Sequence, residues 1–324
     1  MSKPTMENVF AEEDSGGNPR RPSRVDSELL RLAEQDARVV VLSADMRSSL
    51  SSFRDRFPHR YFEFGIAETN VISAAAGMAT CGLVPYVVAM APFCALKCSE
   101  QIRADVTSNK LPVRIVSRMS GLAMGYFGAS HHAVEDLAIA RSLTNLTVAT
   151  AADDEATAAL LRSALNHDGP IFIRVSEGTE QVYPDVPNVE VGRFISLREG
   201  SAATVIATGN GVGAALSAAR VLDQEGVQVT VLDAAYVKPI DETAIERAAA
   251  TTGAILTVEE HNVSCGLGAA VAQVIGRRGL KTALRMHGLP DEDLDVAPPA
   301  ALLDRYGLTA DGVAKQVRLL LADG

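Results

Sequence analysis

Apolar, strand-like runs alternate with helix-like segments along most of the chain, and this alternation restricts its fold more than any other feature. Strands that are buried on both faces appear as continuous apolar runs, so the pattern indicates parallel sheets covered by helices on both sides. In the first half we predict strands at 38–42, 61–64, 86–90, 113–117, 147–150 and 171–175, and helices at 68–81, 96–108, 135–142 and 153–166.

A second alternating series follows a stretch rich in glycine, proline and charged residues, a composition typical of a linker. Its predicted strands are 203–207, 228–232, 254–258 and 282–286, and its predicted helices are 212–224, 241–250, 267–275 and 311–321. The predicted fold class is therefore α/β, with two doubly wound α/β domains. We divide the chain into a disordered leader (1–24), a first domain (25–177), a linker (178–200) and a second domain (201–324).

The distribution of charge argues against a nucleic-acid-binding protein and against a membrane protein. The net charge is −10, which disfavours binding to a polyanion. Residues 70–96 carry no charge, but Gly82 and Pro85 divide them, which favours a buried helix and strand over a membrane span. Because no apolar stretch follows a charged N-terminus, we predict no signal peptide and a cytoplasmic protein.

Two short motifs raise the question of further binding sites. Cys94 and Cys98 stand one helical turn apart, but no nearby histidine completes a ligand set, so we predict no metal site on this chain. The segment Gly209-Asn-Gly-Val-Gly213 fits either a phosphate-binding loop or a tight turn. A glycine cluster alone is weak evidence for phosphate binding, and we expect a tight turn.

Glu68 is the most informative single residue. It begins a helix whose following residues, 71–78, are almost entirely apolar, so its carboxyl group is expected to be buried with them. A buried carboxylate is costly unless it is paired, hydrogen-bonded or protonated, which suggests a functional role. A glutamate at a helix start is also favoured by the helix dipole, by about 0.3–1 kcal/mol. The residues alone leave both interpretations open.

The run Phe62-Glu-Phe-Gly-Ile-Ala-Glu68-Thr-Asn70 resembles the signature of the pyrimidine-binding domain of transketolases. In that comparison Glu68 aligns with the glutamate that activates the cofactor. Nearly the whole chain from about residue 24 is covered, because further segments follow in the order of the family. These are Ser43-Ala-Asp45-Met46, Glu100-Gln-Ile-Arg103, Gly128-Ala-Ser-His131-His132 and Glu135-Asp-Leu-Ala-Ile139, and then Val258-Glu-Glu-His-Asn-Val263 and Gly266-Leu-Gly268, which resemble the transketolase C-terminal domain.

The resemblance implies a thiamine-diphosphate enzyme that transfers a two-carbon ketol unit from a ketose-type donor to an aldehyde-type acceptor. A glutamate in such enzymes hydrogen-bonds the aminopyrimidine of the cofactor, while the cofactor performs the difficult chemistry. The residue roles that follow from the resemblance are catalytic for Glu68 and His131, cofactor-binding for Asp45, Glu68, Phe93 and Lys97, and substrate-binding for Ser49, Tyr126, Phe127, His131 and Arg174.

One element of the family is missing from this sequence. The diphosphate and its Mg²⁺ are held in the family by a Gly-Asp-Gly motif on a separate domain, and the chain contains no Gly-Asp-Gly. The first 24 residues are too few to form that domain. The resemblance therefore implies a separate N-terminal transketolase subunit as partner, in a heterotetramer that contains a dimer of this chain.

The substrate-binding segments depart from the family pattern. The family's Gly-Glu-Asp-Gly is replaced by Gly125-Tyr-Phe-Gly128, so the aspartate that meets a donor hydroxyl is absent. Met119 stands where relatives that use sugar phosphates carry a histidine, and Glu177 stands near their phosphate-binding arginine. Arg174 is close enough in sequence to substitute for that arginine. An ordinary ketose phosphate is therefore not the expected substrate, because a carboxylate repels a phosphate dianion.

The pocket that stacks on the aminopyrimidine is also altered. The family has aromatic residues at the positions of Ala91 and Cys94, whereas Phe93 falls one residue away. Either the loop is shifted so that Phe93 stacks on the ring, or Phe93 belongs to the core and Met90 and Leu96 help to fill the space. The sequence leaves both possibilities open.

Two other functions fit the sequence. One is the beta subunit of a 2-oxo-acid dehydrogenase of the pyruvate type, which shares the two-domain layout and the motif Glu259-Glu260-His261. The other is a catalytically idle regulatory subunit, suggested by Phe127 in place of the aspartate. The retention of Glu68 argues against an idle subunit, since such a protein has no need of a buried carboxylate.

Overall fold

The computed structural model describes residues 23–177 and 180–323, so the predicted leader at 1–24 lies almost wholly outside the described residues. The strands are β1 (Val39–Ser43), β2 (Tyr61–Glu63), β3 (Val84–Met90), β4 (Arg114–Arg118), β5 (Thr147–Thr150), β6 (Ile171–Arg174), β7 (Ile195–Arg198), β8 (Ala203–Ala207), β9 (Val229–Asp233), β10 (Tyr236–Lys238), β11 (Ala254–Asn262) and β12 (Ala283–Leu289). The α-helices are α1 (Arg24–Gln35), α2 (Ser51–Arg56), α3 (Glu68–Thr80), α4 (Ser99–Gln101), α5 (Asp136–Ser142), α6 (Asp154–Leu165), α7 (Gly211–Asp223), α8 (Glu242–Thr251), α9 (Leu267–Arg278), α10 (Pro299–Arg305) and α11 (Ala310–Asp323).

Seven strands form the first sheet in the order β10-β5-β6-β4-β3-β1-β2. All neighbours are parallel except β10, which pairs with β5 in the antiparallel direction. The central strands β1 and β4 are buried along their whole length, as their continuous apolar character requires. Helices cover both faces, so the sheet is doubly wound.

Five strands form the second sheet in the order β12-β11-β8-β9-β7, with β7 antiparallel to β9 and the other pairs parallel. The glycine-rich segment 209–213 forms the turn between β8 and α7, with Gly209 at φ +57°. A Cβ on Gly211 would lie 2.9 Å from the carbonyl oxygen of Val258, so this turn needs glycine for close packing. The predicted class, two doubly wound α/β domains, is confirmed.

The structure differs from the predicted organisation at two strands. Strand β7 lies inside the segment 178–200, for which the composition predicts a linker, and it covers the edge of the second sheet. Strand β10 belongs in sequence to the second domain but pairs with β5 of the first sheet. Both are short antiparallel edge strands, and such strands have no long apolar run that would reveal them.

The predicted helix at 96–108 is a composite of three helical pieces. A π-helical turn (Phe93–Lys97) precedes α4, and a second one (Ile102–Thr107) follows it. A π turn widens the backbone by one residue, which apolar periodicity does not reveal. The first π turn therefore brings Phe93, three residues before the predicted start, into the helical region that already contained Lys97.

The segment after the first sheet is held by two buried aspartates. Asp153 caps α6 by accepting the Ala156 N–H at 2.8 Å, and its other oxygen accepts the N–H groups of Val182 and Tyr183. The Tyr183 hydroxyl donates to Asp233 at the end of β9, at 2.7 Å. These bonds tie the connection between the domains to both sheets.

A buried arginine, Arg174, joins the two domains. The Arg174 Nε atom donates to Asp136 at 2.8 Å, and both side chains are almost fully buried. The same guanidinium group donates to the carbonyl oxygens of Ala133 and Glu260, at 3.2 and 2.9 Å. Because Glu260 lies on β11, this one cation connects the first sheet to the second. Within the described residues, no helix is long and apolar enough to span a membrane.

We predict that Arg174→Met lowers the free energy of unfolding by about 3–5 kcal/mol, because it leaves Asp136 buried without its partner. Guanidinium unfolding followed by circular dichroism measures this change. Arg318→Met is the matched control, since Arg318 pairs with Glu225 on the surface and its loss should cost under about 1 kcal/mol. Equal effects of the two substitutions would contradict the structural role of Arg174.

A second prediction concerns the pH dependence of stability. Burial raises the pKa of Asp233 to about 7, against the hydrogen bond from Tyr183, which lowers it. The folded protein therefore binds this proton more tightly than the unfolded chain, and the contribution of Asp233 to stability falls as pH rises from about 4 to about 7. Asp233→Asn removes this decline, whereas Asp185→Asn, at an exposed position, keeps it. Parallel stability profiles for wild type and Asp233→Asn would refute the assignment.

Candidate active site

Most of the predicted site residues lie at the carboxyl end of the first sheet. Asp45 follows β1, Glu68 follows β2, Phe93 follows β3, and the segment with Tyr126, Phe127 and His131 follows β4. In open α/β sheets, ligands bind at this edge. The parallel arrangement thus brings together residues that are far apart in sequence.

Glu68 is buried, as the sequence predicts, with 5% of its surface exposed at the first residue of α3. Its Oε2 atom accepts a hydrogen bond from the Lys97 Nζ atom at 2.8 Å. This bond raises the pKa of Lys97. The lysine side chain is half exposed, so the buried carboxylate is paired with a cation on the open side of the site.

Glu63 organises the entrance to this helix, a role that sequence reasoning missed. Its carboxylate accepts hydrogen bonds from the N–H groups of Asp45 and Gly65 at 3.0 and 2.9 Å, and from the Tyr61 hydroxyl at 2.7 Å. Partial burial acts to raise the pKa of Glu63, but these bonds outweigh it and lower the pKa. Asp45 and Gly65 both have positive φ, a strained conformation for the aspartate, and Glu63 binds the backbone of both turns.

Three rings form an aromatic cluster at the same edge. The ring of His131 lies 5.3 Å from that of Phe93 in an edge-on arrangement and 4.7 Å from that of Phe127 in a tilted one. The Ser130 Oγ atom lies 2.8 Å from the Nδ1 atom of His131. The structure therefore brings Phe93, Phe127 and His131 together at the carboxyl end of the first sheet.

His132 and Ser49 lie close in sequence to predicted site residues. His132 is buried, and burial lowers the pKa of its ring, which favours the neutral form. The Ser49 hydroxyl donates to the carbonyl oxygen of Met46 at 2.8 Å, within its own turn. Ser49 lies beyond the end of β1, close in sequence to Asp45.

Arg174 is not brought to the site. The sequence suggests that it replaces a phosphate-binding arginine, but its guanidinium group is buried in the ion pair with Asp136 and in bonds to two carbonyl oxygens. These bonds engage the guanidinium group inside the protein. The structure therefore gives Arg174 a structural role instead of the predicted role in substrate binding.

Arg118 is a cation that sequence reasoning overlooked. It ends β4, is largely buried, and pairs with Glu177 through its Nη2 atom at 2.5 Å and its Nε atom at 3.0 Å. The charge of Glu177 is therefore neutralised by its neighbour. The signal in the sequence was a charged residue at the carboxyl end of an otherwise apolar strand, directly before Met119.

A cavity of about 660 Å³ is lined by residues of both domains. Tyr126 and Glu177 line it on one side, and Asn210 and Glu260 line it on the other. Glu68 and His131 are not among its lining residues. Among the residues described, no group of three or more His, Cys, Asp or Glu side chains is placed to hold a metal ion.

Two apolar side chains near Glu68 are exposed. Ile66, two residues before Glu68, is 77% exposed, and Leu96, next to Lys97, is 44% exposed. Together with the aromatic cluster they give this edge an apolar surface beside a buried carboxylate. Such a combination suits a ligand with a flat ring and a hydrogen-bonding nitrogen.

The fold and this site define the class of protein. Two doubly wound domains, with a buried glutamate and an aromatic cluster at the carboxyl end of the first sheet, are typical of an α/β protein with a ligand site at that edge. The chain belongs to the transketolase family: residues 25–181 match the model of the transketolase pyrimidine-binding domain, and residues 192–313 match that of the transketolase C-terminal domain.

Individual relatives agree with this assignment. The chain is 32% identical over 294 residues to one of the subunits of the apulose-4-phosphate transketolase of Phocaeicola vulgatus, covering 89% of this chain and 93% of the relative. A solved structure described as a split gene transketolase, inactive beta4 tetramer, superposes with a TM-score of 0.86 at 37% identity. That comparison covers 92% of this chain and 97% of the other.

Other relatives are longer. The chain is 35% identical over 309 residues to the 1-deoxy-D-xylulose-5-phosphate synthase of Heliobacterium modesticaldum. The match covers 94% of this chain but 47% of that synthase, so the chain spans about half the length of this relative.

We predict that Phe93 and His131 stabilise each other by about 0.5–1.5 kcal/mol, the usual range for an aromatic pair. A double-mutant cycle of Phe93→Leu and His131→Ala, read from the free energy of unfolding, measures this coupling. The control cycle replaces His131→Ala with His59→Ala, at an exposed histidine outside the cluster. A coupling below about 0.3 kcal/mol would show that the rings do not interact in solution.

Proposed function

We propose that this chain is the pyrimidine-binding subunit of a two-chain transketolase-like enzyme that depends on thiamine diphosphate. It transfers a two-carbon ketol unit from a ketose-type donor to an aldehyde-type acceptor. The observation that carries the proposal is the buried carboxylate of Glu68 at the carboxyl edge of the first sheet, beside an aromatic cluster.

The residues present fit one half of the cofactor. A buried carboxylate is an acceptor for a ring nitrogen, and the exposed apolar side chains of Ile66 and Leu96 offer contacts for a flat ring. In this proposal Glu68, Asp45, Phe93 and Lys97 form the cofactor side of the site. When bound, thiamine diphosphate supplies the carbanion chemistry that protein side chains lack.

Glu68 holds and returns a proton at a carboxylate oxygen. Its place at the start of α3 keeps the oxygen fixed, and burial excludes water that would compete for the bond. Lys97 pairs with the same oxygen and is half exposed, so a ligand nitrogen that reaches the carboxylate displaces the ammonium group towards solvent. Lys97 thereby keeps the carboxylate paired while the site has no ligand.

The substrate side of the proposed site consists of Ser49, Tyr126, Phe127 and His131. His131 has its Nδ1 atom beside Ser130, which orients the ring and leaves the other nitrogen for a substrate oxygen. Phe127 adds an apolar wall where a carboxylate was expected. Arg118 and Glu177 together add no net charge, so the donor screen below includes both phosphorylated and free ketoses.

The Mg²⁺ ion and the diphosphate are assigned to a separate N-terminal subunit. The absence of Gly-Asp-Gly from the sequence supports this assignment. So do the names of two relatives, one a subunit of an apulose-4-phosphate transketolase and the other a split gene transketolase. The proposed assembly is a heterotetramer with a dimer of this chain, in the cytoplasm.

Reconstitution tests the assembly and the reaction together. This chain is co-expressed with a subunit that carries the Gly-Asp-Gly domain, and thiamine diphosphate is titrated into the pair and into each chain alone. We expect tight binding by the pair only, and turnover of fructose 6-phosphate, xylulose 5-phosphate, a free ketose or hydroxypyruvate. Turnover of pyruvate alone would instead identify a 2-oxo-acid dehydrogenase subunit.

We predict that Glu68→Gln lowers kcat of the pair by about 10²–10⁴-fold, the usual range for loss of a positioned acid or base. Cofactor affinity should change far less, because glutamine retains a hydrogen-bonding side chain of the same length. Glu34→Gln, on the exposed face of α1, is the control and should leave kcat unchanged. Unchanged kcat in Glu68→Gln would point to an idle subunit.

A further inference from the structure

The segment after β4 is a closed loop. Gly121 and Ala133 exchange two backbone hydrogen bonds, at 3.0 and 2.9 Å, so the chain leaves and re-enters the domain at one point. We call residues 121–133 the 121–133 loop. Phe127 lies near its tip and His131 lies two residues before its closing end, and the two rings make the aromatic contacts of the site.

The second domain contacts the N-terminal end of this loop through Glu260. The Glu260 side chain on β11 is fully buried, and its Oε1 atom accepts the N–H of Leu122 at 2.8 Å. Its Oε2 atom accepts a hydrogen bond from the side-chain amide of Asn210 at 2.7 Å. Gly121 has φ +65°, and a Cβ there would overlap the carboxyl group of Glu260. The first residue of the loop, Gly121, therefore packs directly against this carboxylate.

Glu260 is also linked to the C-terminal end of the loop, because both bind the guanidinium group of Arg174. The Glu260 carbonyl oxygen accepts from the guanidinium group at 2.9 Å, and that group also donates to the carbonyl oxygen of Ala133 at 3.2 Å. The N–H of Asn262 donates to the carbonyl oxygen of Val134 one residue further on, at 2.9 Å. Both ends of the loop are thus attached to one short stretch of β11.

The tip of the loop is also covered by the second domain. A Cβ on Gly125 would lie 2.5 Å from the Ala297 carbonyl oxygen and 2.6 Å from Leu302. A Cβ on Gly128 would lie 2.7 Å from Val296. Gly128 has φ 66° and ψ −152°, a conformation that is accessible almost only to glycine. The segment before α10 therefore packs closely against the loop at Gly125 and Gly128.

We propose that the second domain sets the position of the 121–133 loop, and that Glu260 is the positioning residue through which it acts. The consequence for catalysis rests on the proposed function, in which Phe127 and His131 face the substrate. Glu260 itself touches no residue assigned to the cofactor. Its role is to fix the loop that presents His131.

The buried Glu260 carboxylate is stabilised by the hydrogen bonds that it accepts. Burial raises the pKa of Glu260, and the Leu122 N–H and the Asn210 amide act in the opposite direction. If the carboxylate is removed, the buried N–H of Leu122 loses its acceptor. The closed conformation of the loop then pays the cost of an unsatisfied buried donor, so the loop opens more often. The side-chain oxygen of Asn210 has no partner, so its amide can turn to satisfy a glutamine at position 260.

Amide hydrogen exchange of the full chain tests the proposal without reference to activity. The variants are Glu260→Ala, which deletes the acceptor, and Glu260→Gln, which keeps it. Glu259→Ala is the matched control. Glu259 is the neighbouring buried glutamate on the same strand, but it accepts the N–H groups of Leu267 and Gly268 at the start of α9.

In Glu260→Ala, exchange in peptides over 121–133 should rise about tenfold or more, as expected when a buried bond to a charged group is lost. Glu260→Gln should stay close to wild type. Glu259→Ala should raise exchange at the start of α9 and leave the loop unchanged. The proposal is overturned if the loop in Glu260→Ala exchanges at the wild-type rate, or if Glu259→Ala accelerates the loop equally.

Val296→Ala keeps the test decisive if Glu260→Ala does not fold. Val296 is 65% exposed, so its truncation should spare the fold while loosening the tip of the loop. Relative to wild type, Val296→Ala should accelerate exchange in peptides over 125–131 more than in the rest of the chain. An unchanged tip would overturn the claim that the second domain sets the position of the loop tip.

The reconstituted pair links the loop to catalysis. Glu260→Ala should lower kcat while the affinity for thiamine diphosphate stays within about twofold, because Glu68 and Lys97 are untouched. Glu260→Gln should restore kcat. If wild-type enzyme turns over no ketose, the proposed function fails, and the exchange data still decide whether Glu260 positions the loop.

Discussion

The guanidinium group of Arg174 is the point on which the two-domain arrangement depends. It sits at the end of β6, pairs with Asp136 and donates to carbonyl oxygens on both sides of the domain boundary. A buried cation cannot be left unpaired without a large cost, so these bonds restrict how the sheets can be placed. The loop that carries His131 begins and ends within this network, which makes the site sensitive to the second domain.

The site itself depends on one buried carboxylate that lies beside an aromatic cluster. Glu68 is kept buried by α3 and paired by Lys97, while the surface around it is aromatic or aliphatic. Such surroundings strengthen each hydrogen bond that a ligand makes there. The exposed Ile66 and Leu96 fit a site that is completed by a further surface, as the proposed partner subunit would provide.

Several features were predictable from sequence because they follow from local rules. The long buried strands appear as apolar runs, and the acidic residues Asp153 and Asp241 mark the starts of helices that they cap. Glu68 was predictable as a buried carboxylate because an apolar helix follows it. The short strand β10, the π turn at Phe93–Lys97 and the role of Arg174 were not, since none leaves a distinctive local pattern.

The sequence by itself determined the class of fold, the transketolase family and the position of the central glutamate. These depend on periodicity and on a contiguous motif, which act over neighbouring residues. Only the tertiary structure decided which side chains meet: Lys97 with Glu68, His131 with Phe93 and Phe127, Arg118 with Glu177, and Glu260 with the 121–133 loop. Such pairs are set by the order of strands in the sheet and by the packing of one domain on the other, which bring distant residues together.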